Sequence, residues 1–315
     1  MNTILKIAAT IAAILVITVT GLVADANVRI AGEETLAPDM GAPGRFVIVG
    51  GHRLHIATIG DISADPTGSP LMLIHGFAAP GHVTWLPWAS RLTAERALIM
   101  PDLMGFGHSE RITVPDPAYT LKSRSAALAA ALDNLGVAQV DIVSESYGGA
   151  VAAQFALDYP TRVRRMVFMG AMIYPRPDPF EPSIDVPFGI GRAIAWHVLS
   201  GGPFSFVAQY CKGQVNCRWR RLTRVAHTTD ALRAMSYTQR HSPEGAAVAQ
   251  DIAKIAAPSL VIWGGDDRFV PVSEGDRLAR ELNSSITIIA DAGHLPYIEQ
   301  PEKVAERVLN FLKPR

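Results

Sequence analysis

Val140-Asp141-Ile142-Val143-Ser144-Glu145-Ser146-Tyr147-Gly148-Gly149, followed by Ala150-Val151-Ala152-Ala153-Gln154-Phe155-Ala156, decides how this chain is read. An apolar run of strand type breaks into small residues and resumes as an alanine-rich helix. A strand that turns abruptly into a helix presents the central Ser146 hydroxyl at the carboxyl edge of a sheet, with the positive helix end beneath it. The pattern expected of such a nucleophile elbow is GxSxG, and Ser144 stands where the first glycine would be. Serine is small, and the second glycine, Gly148, is intact, so the departure is mild.

Further runs end in reactive residues. Ser259-Leu260-Val261-Ile262-Trp263 leads into Gly264-Gly265-Asp266-Asp267-Arg268-Phe269-Val270-Pro271, and Ile286-Thr287-Ile288-Ile289-Ala290 leads into Asp291-Ala292-Gly293-His294. Each places an acid or an imidazole just past the carboxyl end of a strand, where open parallel sheets collect their reacting groups. Arg45 to Val49 and Arg53 to Ala57, joined through Gly50-Gly51, read as an opening hairpin. Buried runs at 71–74, 97–100, 140–143, 166–170, 259–263 and 286–290 then alternate with helix-like segments such as 121–135 and 272–283. That alternation predicts an α/β fold with a mainly parallel sheet covered on both faces.

With Leu73-Ile74-His75-Gly76-Phe77 and Pro101-Asp102-Leu103-Met104-Gly105-Phe106-Gly107-His108-Ser109 added to the elbow, to Gly264–Pro271 and to Gly293-His294, the chain resembles the α/β-hydrolase superfamily, in its lidded serine esterase and C–C hydrolase branch. The resemblance covers residues 71 to 301. It implies Ser146 as nucleophile, His294 as general base and Asp267 as the acid that orients the imidazole, in the chain order of that fold. Asp266 competes with Asp267; the family pattern places the acid four residues before the proline, which favours Asp267. The backbone amides of Phe77 and Tyr147 are the implied oxyanion donors. His75 is expected to be structural beneath the oxyanion loop, and Asp291 to shape a turn. Relatives that open alkyl halides or epoxides carry aspartate at the nucleophile position, so serine at 146 points to carbonyl substrates.

Composition narrows the rest. With 49% hydrophobic and 18% charged residues, the 315-residue chain can build one large core. Zero formal net charge offers no electrostatic footprint for nucleic acid. Neither zinc-ligand spacing nor a phosphate-cradling glycine loop is read from the chain, and the expectation is no cofactor and no metal. The expected partner is a small acyl compound.

Residues 7 to 24 contain no charge, with Lys6 before them and Asp25 after. As a helix they would span roughly 27 Å at ~1.5 Å per residue, close to a hydrocarbon core of ~30 Å. Lys6 on one side and Asp25, Glu33, Glu34 and Asp39 on the other place the catalytic domain outside the cytoplasm. A retained membrane anchor is preferred; cleavage after Ala26, leaving a soluble exported protein, is the alternative. The expected organisation is anchor or signal peptide at 1–26, tether at 27–44, hydrolase core at 45–171 and 246–315, and a lid at 172–245. Within that lid, Gly189 to Leu199 and Arg218 to Met235 read as helices, the second with Trp219, Leu222, Val225 and Ala226 at helical spacing. Arg218, Arg220, Arg221 and Arg224 read as a solvated basic face. Cys211 and Cys217 suggest a local disulfide in an exported protein. Phe77, Phe106, Trp85, Phe180, Phe204 and Phe206 are expected near the mouth of the site. Hydrolysis of esters of moderately apolar acyl compounds, with amides and thioesters behind them, is the leading function, C–C hydrolysis of a dienoic diketone the alternative within enzymes, and ligand binding without turnover the alternative outside them.

Overall fold

The computed structural model describes residues 2–36, 44–64, 69–77, 81–93, 96–112, 117–175, 186–199, 228–241 and 244–313. Strands β1 (Arg45–Val49), β2 (His52–Ile59), β3 (Leu71–Ile74), β4 (Leu98–Pro101), β5 (Val140–Glu145), β6 (Val163–Met169), β7 (Ser259–Gly264) and β8 (Ser285–Ile289) form one sheet. Its order is β1-β2-β4-β3-β5-β6-β7-β8. β1 and β2, and β2 and β4, pair antiparallel, and every later pair is parallel.

Parallel strands need crossovers, and helices supply them on both faces. The described helices are α1 (Asn2–Leu36), α2 (Leu86–Ala89), α3 (Leu121–Asn134), α4 (Tyr147–Asp158), α5 (Ile190–Leu199), α6 (Thr229–Arg240), α7 (Gly245–Asp251), α8 (Val272–Glu281), α9 (Pro296–Glu299) and α10 (Pro301–Leu312). Strand residues alternate between two cores: Leu71 and Leu73 pack with Trp88, Tyr297 and Val308, whereas Met72 and Ile74 pack with Leu128, Val151 and Leu278. A strand buried on both faces has no polar face to show, which is why 71–74 reads as an unbroken apolar run. α3 begins at Leu121 because Thr120 caps it, its side chain accepting from Ser123 N at 3.1 Å.

The sequence expectations meet corrections in two places. Residues 27–36, read as the first part of a tether, continue helix α1. No proline lies within 27–36, and Ala26 and Ile30 are buried where α1 packs on α5. Trp85, expected near the mouth, is fully buried, its ring 4.7 Å from that of Tyr297 and 6.1 Å from that of Trp88. The turn at Gly81–Thr84 and helix α2 fold this indole into the core on the face opposite α3 and α4. α6 starts at Thr229, capped by Thr228, and runs to Arg240. Residues 218–227, the proposed basic face, Cys211, Cys217, Phe180, Phe204 and Phe206 lie outside the described residues.

Candidate active site

The reversal after β5 holds Ser146 at φ 51° and ψ −125°, a conformation costly for a residue with a side chain. Hydrogen bonds on both sides maintain it: Ser146 N donates to Met169 O at 3.0 Å, and Ser146 O accepts from Met172 N at 2.8 Å and Gly149 N at 2.9 Å. Gly148 passes so close to β3 that a Cβ there would lie 2.4 Å from Ile74 O, so this glycine of the elbow is required by space. Ser144, by contrast, is accommodated, and its buried hydroxyl donates to Val167 O at 3.2 Å.

The loops after β7 and β8 bring the other two residues to Ser146. His294 Nε2 lies 2.9 Å from Ser146 Oγ, and His294 Nδ1 lies 2.8 Å from Asp267 Oδ2. Asp267 Oδ1 accepts from Phe269 N (2.8 Å) and Val270 N (3.0 Å). An ionised carboxylate only accepts, so the imidazole carries its proton on Nδ1 and turns the Nε2 lone pair toward the serine hydroxyl. Asp266 is exposed, and only its backbone ties the two loops, donating to Ala292 O at 2.9 Å. The structure thus brings Ser146, His294 and Asp267 together and leaves Asp266 outside. Asp291 occupies a turn at φ 56°.

Tyr147 opens α4, so its amide is among the first-turn donors with no acceptor inside the helix. Phe77 stands on the facing loop after β3, its ring 6.4 Å from that of Tyr147 and 5.9 Å from that of Phe106. Beneath this loop, His75 Nε2 accepts from Leu103 N (2.9 Å) while Nδ1 donates to Gly76 O (2.8 Å). Burial pushes its pKa down to about 4, so His75 is a neutral strut and both its nitrogens are committed to backbone.

Glu145 was not singled out from the sequence. Its Oε1 accepts from Gly76 N at 2.7 Å, its Oε2 is buried with no hydrogen-bond partner in the structure, and a Cβ on Gly76 would collide with this carboxyl group. Burial raises its pKa to about 7, against the pull of nearby His294 and with a push from Asp267. The available signal was an acid closing a strand whose every residue is buried.

Among the described residues, His55, His82 and Asp102 form a group with metal-ligand chemistry. Their atoms are already engaged with one another. Asp102 accepts from the imidazole Nδ1 of His55 and of His82 (2.9 Å each) and from the amides of His82 (2.5 Å) and His108 (2.7 Å). Burial would raise the Asp102 pKa, but the hydrogen bonds from the two histidines hold it well below the usual carboxylate range. This knot joins β2, the turn at Gly81–Thr84 and the loop after β4, and so fixes the far end of the Phe77 loop.

A mostly parallel sheet carrying a linked serine, histidine and aspartate at its carboxyl edge defines an α/β-type hydrolase. The chain belongs to the α/β-hydrolase fold family, whose model matches residues 69–191. It is 30% identical over 279 residues to 2-hydroxy-6-oxo-2,4-heptadienoate hydrolase of Pseudomonas putida, covering 85% of this chain and 96% of that one. It is 29% identical over 256 residues to 2-hydroxy-6-oxononadienedioate/2-hydroxy-6-oxononatrienedioate hydrolase of Burkholderia vietnamiensis, covering 77% and 86%. Among solved structures, a thermophilic esterase from Thermogutta terrifontis superposes with a TM-score of 0.65 at 26% identity, covering 85% of this chain and 98% of that one.

Proposed function

We propose that this chain is a serine hydrolase of carboxylic esters, with Ser146 as nucleophile, His294 as general base and acid, and Asp267 as the residue that orients the imidazole. The observation that carries the reading is the unbroken hydrogen-bonded line from Ser146 Oγ through His294 to Asp267. As Oγ bonds to the carbonyl carbon, its proton passes to His294 Nε2 and the carbonyl π pair moves onto oxygen. The amides of Phe77 and Tyr147 receive that oxyanion, and Glu145 positions the loop through Gly76 N. Collapse expels the alcohol, which takes the proton from Nε2. Water then repeats the sequence on the acyl-enzyme and frees the acid.

Met172 Sδ lies 3.6 Å from Ser146 Oγ, and the Phe269 ring packs 5.6 Å from that of His294. With Phe77 and Tyr147 these groups make apolar surroundings that suit an uncharged acyl group. Residues 7–24 are read as the membrane anchor of an exported enzyme, and residues 172–245 as its lid. Among the described residues one helix is long and apolar enough to cross a membrane. A second reading, C–C hydrolysis of a dienoic diketone, is favoured by the names of the sequence relatives; there the leaving group is carbon and must be protonated on carbon.

The test is fluorophosphonate labelling of wild type and Ser146→Ala, followed by a p-nitrophenyl ester series run beside a 2-hydroxy-6-oxodienoate. Labelling lost in Ser146→Ala and faster ester turnover are expected. Faster consumption of the dienoate would move the second reading forward, and folded wild type that takes no label would mean a blocked or dead site and move the ligand-binding reading to the front.

A further inference from the structure

Exposed apolar side chains stand at residues 186–194, at the start of α5 where it meets α1. Phe188 is 92% exposed, Ile194 42%, Val186 40% and Ile190 37%. Phe188 has φ 61° and the following Gly189 φ 71°, two left-handed residues in succession, a geometry phenylalanine rarely adopts. Soluble surfaces scatter single apolar side chains, but a contiguous ridge marks a contact.

What adjoins the ridge indicates its occupant. Asn27 Nδ2 donates to Gly189 O at 3.1 Å and to Val23 O at 2.7 Å. Ala26 and Ile30 are buried where α1 meets α5, and the Arg29 guanidinium lies 5.9 Å from the Trp196 ring centroid. α1 before this contact exposes Ile7, Ile11, Ile14, Leu15, Ile17 and Leu22. Asn27 is only ~4.5 Å along the helix from Ala24, the end of the uncharged stretch. With residues 7–24 read as a membrane anchor, this short rise would set Phe188, next to the residue that Asn27 holds, where hydrocarbon gives way to headgroups. The exposed Asp25–Arg29 ion pair marks that same level.

We propose that residues 186–194 are a membrane-interface patch, with the Phe188 ring set into the leaflet that α1 enters, so that the enzyme draws esters dissolved in the bilayer. The inference rests on reading residues 7–24 as a membrane anchor. It gives the exposed ring the medium that amphipathic interfacial segments use. It also explains why the α1 helix continues past the apolar stretch to grip α5 instead of ending in a loose tether.

The experiment uses the full chain in phosphatidylcholine–phosphatidylglycerol vesicles. A benzophenone amino acid replacing Phe188 is expected to cross-link to lipid on illumination. Phe188→Asp is expected to lower turnover of a long-chain ester dissolved in the bilayer about tenfold, with turnover of water-soluble p-nitrophenyl acetate unchanged and Phe188→Leu close to wild type. Cross-linking to a second copy of the chain would overturn the proposal and assign the ridge to self-association. Release of the chain by alkaline carbonate would overturn the anchor reading and the patch with it. A chain that resists carbonate but shows neither lipid cross-link nor substrate discrimination would overturn the patch alone.

Discussion

The carboxyl edge of the sheet and the junction of α1 with α5 treat polar groups in opposite ways. At the sheet edge, Asp267 accepts from two amides and one imidazole, and His75 spends both nitrogens on backbone. The α1–α5 junction rests on buried Ala26 and Ile30 with Asn27 as its polar clamp, and apolar side chains stand exposed on either side. The first region is preorganised: its hydrogen bonds are already made in the resting structure, which on the proposed mechanism leaves little to reorganise during reaction. The second leaves Phe188, Ile190, Ile194 and Val186 exposed to solvent beside the helix junction, which is the surface the membrane-interface proposal uses.

The sharpest way to break this contrast is at Asp267. Asp267→Asn should lower kcat for an ester about 10⁴-fold, while Asp266→Asn should stay near wild type; equal losses would mean that the hydrogen-bond geometry does not single out the working acid. Away from the site, Asp141 takes Arg96 Nη2 at 2.6 Å and Arg164 Nε at 2.9 Å. Asp141→Ala strips both guanidiniums of their shared carboxylate and should cost about 3–5 kcal/mol in urea unfolding, with turnover per folded molecule intact.

Glu145 sharpens the comparison through pH. Its carboxyl group ordinarily titrates near 4.5, but burial in the folded protein raises this to about 7. Between those values the native state binds more protons than the unfolded chain, so stability falls as pH rises from about 4.5 to about 7. Glu145→Gln, which keeps an acceptor for Gly76 N, should remove that fall, on the order of 3 kcal/mol across the window. Melting curves of both proteins over this range check it, and parallel curves would mean that Glu145 is not a proton reservoir. The smallest effect belongs to the junction: Asn27→Ala should cost only about 1 kcal/mol and leave soluble-ester kcat unchanged. A loss as large as that of Asp141→Ala would erase the distinction between the two regions.

The parts that could be read from the chain share a physical reason. Buried parallel strands are apolar throughout, and an elbow needs small residues at fixed offsets, so 71–74, 140–149 and 259–264 were recognisable locally. Trp85 was misplaced because sequence proximity to the Phe77 loop does not say which face of the sheet an indole enters. Residues 27–36, the first part of the tether expected at 27–44, were misread because the decisive partner, α5, lies far away in sequence. Glu145 escaped notice because a carboxyl inside an apolar strand has meaning only once Gly76 is seen against it.

By itself, the sequence determined the α/β alternation, the small-residue turn around Ser146 and the uncharged amino-terminal stretch, because periodicity, turn chemistry and charge are properties of neighbours along the chain, while the roles of Ser146, His294 and an aspartate at 266 or 267 came from the family resemblance. Only the tertiary structure decided that Asp267 and not Asp266 faces the imidazole, that Glu145 holds the loop after β3 through Gly76 N, and that Asn27 of α1 clamps Gly189 beside an exposed Phe188. Those facts depend on distances between residues that the chain keeps far apart, and folding alone sets them.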